Sequence, residues 1–255
     1  MNPDLRELLE AATAAAREAS TAILDVYATA FDVREKSDAS PVTEADERAE
    51  AIIIAALARA APGIPAIGEE MVSAAGAPAP TLYYWLIDPV DGTREFVARN
   101  GEFTTNIGLV EGTRPVLGVI HVPVKNITYA GAGPGTATRQ IGDAAPTSIS
   151  ANAVPATGAI VTHSRSHSDS ARLNTYLATL NQPKTLISGS AVKFCLLAEG
   201  TADLYPRFGP TSEWDTAAGQ AILEAAGGSV TTLDGAPLGY AKPGYRNPDF
   251  IARGR

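Results

Sequence analysis

The sequence predicts an α+β fold that passes into an α/β one, and three observations carry that reading. Two long amphipathic helices come first, hairpin-connected strands follow, and strands alternating with helices close the chain. The first helix carries Leu5, Leu8, Leu9, Ala12, Ala16, Ala19, Ile23 and Val26 at near-helical spacing, with Arg6, Glu10, Arg17 and Asp25 on its polar face. Thr43 opens the second, whose buried stripe is Ala49, Ile52, Ile53, Ala56 and Leu57 and whose end is marked by Pro62-Gly63. The connection over 36–41 is polar and ends in proline. Residues 83–87 lack polar alternation, so they read as a strand covered on both faces, stopped by Pro89, which blocks a ladder. Strands over 104–110, 115–122 and 127–130, joined by turns at 111–114 and 123–126, make an antiparallel meander. Residues 131–150 read as edge strands and loops leading to a domain boundary near Ala153, which divides the chain into 1–153 and 154–255. Strands over 159–162, 185–188 and 202–205 then precede helices near 168–180, 191–199 and 215–226, which implies α/β layering.

Composition narrows the function. The 255 residues are 45% hydrophobic with a formal charge of -8. No run reaches the roughly 18 apolar residues of a membrane helix, and the start, Met1-Asn2-Pro3-Asp4, is neither basic nor greasy, so no membrane partner and a cytoplasmic location are expected. Net acidity argues against a nucleic-acid polymer as partner, because such proteins neutralise phosphates with a basic surface. A small anion must instead be attracted locally, by metal ions and a few arginines. The single cysteine, Cys195, excludes an internal disulfide, and the scattered His121, His163 and His167 make no zinc set.

Chemistry concentrates in Trp85-Leu86-Ile87-Asp88-Pro89-Val90-Asp91-Gly92-Thr93, where an apolar strand meets two carboxylates, a glycine and a hydroxyl. Gly92 leaves room for a ligand at the backbone, and a helix starting at Thr93 would turn its free amides toward that ligand. Read alone, the same pentapeptide Asp-Pro-Val-Asp-Gly serves as an ordinary turn. Glu69 and Glu70 end a second short strand or sit in a solvated loop. Asp215, in Glu213-Trp214-Asp215-Thr216, either serves chemistry or favours a helix dipole. Thr43-Glu44-Ala45-Asp46 has the form of a capping box, which by itself accounts for Asp46.

Taken jointly, Gly68-Glu69-Glu70, Asp88-Pro89-Val90-Asp91-Gly92-Thr93 and Trp214-Asp215-Thr216-Ala217-Ala218-Gly219 resemble the lithium-sensitive, magnesium-dependent phosphatase superfamily that includes inositol monophosphatase. Ser40-Pro41-Val42-Thr43-Glu44-Ala45-Asp46, Ser164-Arg165-Ser166-His167, Lys193-Phe194-Cys195 and Leu204-Tyr205-Pro206-Arg207-Phe208-Gly209 look like its CysQ branch, the 3'(2'),5'-bisphosphate nucleotidases. The resemblance spans about residues 4 to 250. It implies a layered αβαβα sandwich, with the first domain carrying most metal ligands and the second completing the site.

The resemblance further implies two or three Mg2+ ions and inhibition by Li+. Glu69, Asp88 and the Val90 carbonyl would hold one ion, Asp88, Asp91 and Asp215 a second, with Glu69 also reaching a third. Crowded acids suit that chemistry, since two like charges about 4 Å apart repel by roughly 4 kcal/mol at an effective dielectric near 20 and divalent cations remove the repulsion. Thr93 paired with Asp46 would activate the attacking water, and Glu69 joins them as a catalytic residue. The amides of Gly92 and Thr93, with Arg165, His167, Ser190, Lys193 and Arg207, would bind the substrate. Ala191 departs from the branch's usual Gly-Ser-Ser and removes one hydroxyl. The substrate implied is adenosine 3',5'-bisphosphate, a by-product of sulfate assimilation, cleaved to AMP and phosphate by a monomer or homodimer, with the sulfated analogue as a further substrate that the resemblance allows. A broad inositol or fructose bisphosphate phosphatase and a catalytically silent nucleotide sensor are the alternatives.

Overall fold

The computed structural model describes residues 3–36, 41–76, 79–165 and 169–255. Helix α1 (Leu5–Tyr27) starts at Asp4, whose side chain accepts from the amides of Arg6 and Glu7. Strands β1 (Arg34–Glu35) and β2 (Pro41–Val42) pair before helix α2 (Glu44–Ala60), where Thr43 and Asp46 close the expected capping box. Strand β3 (Ala66–Gly68) runs into helix α3 (Glu69–Ala75), and β4 (Tyr83–Asp91) into helix α4 (Thr93–Val97). Strands β5 (Thr104–Glu111), β6 (Arg114–Val122), β7 (Ile127–Gly131), β8 (Thr138–Ile141) and β9 (Thr147–Ser148) complete the meander. The resulting seven-stranded sheet has the order β3-β4-β5-β6-β7-β8-β9, parallel only between β3 and β4.

The second sheet is built from β10 (Ile160–His163), β11 (Lys184–Ile187), β12 (Leu204–Arg207), β13 (Ser229–Thr232) and β14 (Phe250–Arg253), in the order β11-β10-β12-β14-β13. Strands β10, β11 and β12 are parallel, as crossovers through helices α5 (Ser170–Ala178) and α6 (Val192–Ala198) require. Helix α7 (Ala217–Ala225) leads to the antiparallel pair β13 and β14.

Five layers follow from the apolar faces. Helices α1 and α2 bury Ala16, Ile23, Ile53 and Leu57 against Trp85, Ile107 and Leu117 of the large sheet. Helices α6 and α7 fill the space between the sheets, where Phe194, Ile222 and Leu223 meet Ile120, Tyr205 and Phe250. Leu177 of α5 packs on Val161 and Leu204 outside the small sheet. This is the αβαβα arrangement expected.

The seating of α7 matters for the site because the helix directly follows Asp215. Gly108, Gly118 and Gly131 lie side by side across β5, β6 and β7, forming a trough under the helix. A Cβ on Gly108 would stand 2.8 Å from the Cβ of Ala217, and one on Gly118 only 2.1 Å from the carbonyl oxygen of Ala218. Backbone fills the space a side chain would need, so Gly118→Ala is expected to cost about 1–3 kcal/mol through overpacking. Thermal denaturation should show the loss as a lower Tm, and an unchanged Tm would contradict this account of the trough.

Two local expectations are corrected. Pro89 does not end β4; the strand continues to Asp91 through a register slip against β5 between Asp88 and Asp91, an irregular stretch that accommodates a proline. The last long helix begins at Ala217, leaving Asp215 in a preceding 3-10 turn over Glu213–Asp215. The slip and the turn place the two acids at element ends, where their carboxylates reach the cleft.

Candidate active site

The β3–α3 junction, the irregular end of β4 and the turn before α7 meet at an open cleft of about 510 Å³. Glu69, Asp88, Val90, Asp91 and Asp215 all line it. Carboxylate oxygens of Glu69, Asp88 and Asp215 lie within 4.8 Å of one another. Asp91, half-buried, accepts from Asn106 Nδ2 at 3.3 Å and from the Ala191 amide, which arrives from the other side of the cleft.

The electrostatics of this cluster are unfavourable. Burial, then Glu69, Asp91 and Asp215, hold the Asp88 carboxyl well above the usual range. Burial, Asp91 and Glu69 push Asp215 up to about 8. Lys36 supplies a counter-charge, its Nζ lying 2.7 Å from Glu69 and 2.6 Å from Glu70. Burial works to lower the pKa of that ammonium, yet the two glutamates raise it overall. Lys36 also favours the charged form of Asp88 from a distance, yet Asp88 Oδ1 is buried without a hydrogen-bond partner. A buried, unpaired carboxylate oxygen is costly, and a hard divalent cation with oxygen ligands removes that cost. The residues present therefore fit such an ion.

Asp46 serves two purposes with its two oxygens. Oδ2 accepts from Thr43 N at 2.9 Å and Thr43 Oγ1 at 2.7 Å, completing the cap, while Oδ1 stands 3.3 Å from Thr93 Oγ1. Capping and a role at Thr93 are thus compatible in one residue. Thr93 Oγ1 also lies 3.2 Å from the Val90 carbonyl, and its single hydrogen can serve only one of the two acceptors. Burial pushes Asp46 up to about 6, against the lowering effect of its bonds from Thr43. Gly92, at φ 92°, makes the left-handed turn that brings Thr93 back beneath Val90.

The other candidate ligand residues are distributed unevenly. Ser190, at φ 46°, Lys193 and Arg207 line the cleft. Lys193 is buried, pushed down to about 8 by that burial, and its Nζ donates to the carbonyls of Ser190 and Ser188 and lies over the Tyr205 ring. Arg207 donates from Nη2 to the Pro210 carbonyl at 2.8 Å, while its buried Nε has no partner. Arg165 stands outside the cleft lining, with Nη2 3.4 Å from Glu102 Oε2. His167 lies outside the described residues. Tyr205 packs edge-on against Phe194 and Phe250, so its ring belongs to the core.

Sequence reasoning passed over Lys36 and Arg246. Both line the cleft, and Arg246 Nη1 donates to Ser212 Oγ, beside Asp215. Lys36 preceded the capping box as a lone cation, a weak signal, and nothing marked Arg246.

A site of this kind, with acids from three separate elements around one cleft beside a threonine–aspartate pair, defines a metal-dependent phosphatase class. The comparisons agree: residues 4–252 match the model of the inositol monophosphatase family, and the chain belongs to that family. It is 44% identical over 247 residues to the 3'(2'),5'-bisphosphate nucleotidase CysQ of Escherichia coli O157:H7, covering 92% of this chain and 95% of that protein. The namesake from Salmonella typhimurium is 43% identical, with 95% and 98% covered. The crystal structure of CysQ from Bacteroides thetaiotaomicron superposes with a TM-score of 0.80 at 37% identity, covering 96% of each chain. Among the described residues no helix is long and apolar enough to cross a membrane.

Proposed function

We propose that the protein is a Mg2+-dependent phosphomonoesterase that removes the 3'-phosphate of adenosine 3',5'-bisphosphate, giving AMP and phosphate. The observation that carries the chemistry is the convergence of Glu69, Asp88 and Asp215 within 4.8 Å, with Asp88 Oδ1 left unpaired. The choice of nucleotide is supported by the similarity to the nucleotidases named above.

Glu69, Asp88, Asp91, Asp215 and the Val90 carbonyl would hold Mg2+, which when bound would supply Lewis-acid activation of water and neutralise phosphoryl charge. The residues themselves do the rest. Thr93 Oγ1 donates its hydrogen to Asp46 Oδ1 and accepts from the attacking water, which orients a lone pair at phosphorus without ionising the threonine. The amides of Gly92 and Thr93 face the equatorial phosphate oxygens, whose charge is redistributed in the transition state. Arg207, whose side chain lines the cleft, binds the second phosphate. Intact Glu69, Asp88, Asp91, Asp215, Thr93 and Asp46 argue against a silent sensor. Li+ is expected to inhibit.

A phosphate-release panel tests the reading with adenosine 3',5'-bisphosphate, inositol 1-phosphate and fructose 1,6-bisphosphate, each with and without Mg2+. Turnover should be fastest on the nucleotide and absent without the metal; equal rates on all three esters would favour a broad sugar phosphatase. Arg207→Ala should lower kcat/KM for the nucleotide about 10- to 100-fold, the equivalent of a charge-assisted hydrogen bond, with little change in the Mg2+ concentration needed.

A further inference from the structure

Helix α2 buries two acids one turn apart, Asp46 and Glu50, and only Asp46 is explained by the chemistry above. Glu50 points to α3 rather than to Thr93. It is 6% exposed, its Oε2 accepts from the Glu70 amide at 2.9 Å, and its Oε1 accepts from the Met71 amide at 2.8 Å. Those amides belong to the first turn of α3, which has no side-chain cap of its own. The residue that opens this turn is Glu69. Helix α3 has seven residues, too few to hold its own geometry in water, so its setting depends on what grips it.

Gly68 completes the arrangement. A Cβ there would stand 2.2 Å from Glu50 Oε2, so the carboxylate occupies the volume an ordinary residue would fill. The backbone of Gly68 is extended, at φ -101°, so glycine is required by the approach of Glu50 rather than by conformation.

We propose that Glu50 is a positioning residue for the metal site: by clamping the Glu70 and Met71 amides it sets the first turn of α3 and holds the Glu69 carboxylate toward Asp88 and Asp215. The inference rests on the divalent-cation reading of the acid cluster and not on the identity of the ester. Lys36 holds the side chains of Glu69 and Glu70 while Glu50 holds the backbone amides of Glu70 and Met71, so side chains and backbone of this turn are fixed by different partners. Outer partners that orient a ligand ordinarily change metal affinity 10- to 100-fold when removed.

Two substitutions break the clamp by different routes. Glu50→Gln turns an NH2 group toward an amide donor, and Gly68→Ala inserts a methyl where the carboxylate sits. Mn2+ binding to the substrate-free protein is measured by electron paramagnetic resonance, alongside Tm and the KM for the ester at saturating Mg2+. Both variants should bind Mn2+ about tenfold or more weakly, need correspondingly more Mg2+ for activity, and keep KM within about twofold once metal is saturating. A lowered Tm with unchanged Mn2+ affinity would reduce Glu50 to a structural cap and overturn the proposal. If Glu50→Gln does not fold, Gly68→Ala carries the same measurement. Wild-type protein that binds no Mn2+ would overturn the cation reading together with this inference, whereas binding that is equal in all three proteins overturns the inference alone.

Discussion

Asp91→Asn is expected to lower kcat by about 10³-fold or more while leaving the fold intact. Asp91 lies half-buried at the end of β4, and the carboxylate is the part of it that an ion needs. Metal-ion stabilisation of transition-state charge amounts to several kcal/mol, and each 1.36 kcal/mol is tenfold in rate. Asparagine keeps the shape and can still accept from Asn106 Nδ2 through its one oxygen, so the chief loss is of charge and of the second acceptor oxygen. The same substitution removes a source of repulsion from the metal-free protein, where Asp91 helps push Asp215 up to about 8. In excess chelator the variant should melt no lower than wild type, and Mg2+ should raise its Tm less, because linkage stabilisation follows affinity. Steady-state kinetics and melts with and without Mg2+ check both halves; normal Mg2+-dependent turnover would end the assignment.

Thr93→Val should cost about 10²- to 10⁴-fold in kcat, the range of a positioned proton-transfer group, with KM changed far less. Valine keeps the volume and removes only the hydroxyl between Asp46 and the attacking water. The partner predicts a pH signature. Asp46 accepts from Thr93 most strongly as a carboxylate, and burial pushes its pKa up to about 6 without metal. A nearby cation favours the charged form, so kcat/KM should fall with decreasing pH at or below about pH 6. Asp46→Asn should abolish that limb along with most of the activity. A pH–rate profile of Asp46→Asn with the acidic limb unchanged would remove Asp46 from the relay.

Much of this was legible in the chain because the information was local. The stripe through Ala16 and Ile23, the capping box at Thr43, and the apolar strand that runs into Asp88 are each patterns of a few neighbouring residues. The two strands β13 and β14 were not, since Ser229–Thr232 and Phe250–Arg253 are short and become strands by pairing with each other and with β12. Lys36 was read only as part of a polar loop and Glu50 drew no reading; only burial near α3 distinguishes them from solvated residues. Asp46 was ambiguous in sequence because a cap and a catalytic acid look alike; the structure places one of its oxygens on the cap and the other 3.3 Å from Thr93 Oγ1, which leaves both roles open to it.

What the sequence determined by itself was the family, the order of helices and strands, and the short list of acids and hydroxyls able to do chemistry. Only the tertiary structure decided which of those acids share a cleft, how the glycine trough seats α7 behind Asp215, and that Glu50 grips the turn bearing Glu69. The reason is physical: helical and strand periodicity is written along the chain, whereas repulsion between carboxylates, coordination of an ion and the grip of a buried carboxylate on an amide act across a few ångströms of space, between residues the chain keeps far apart.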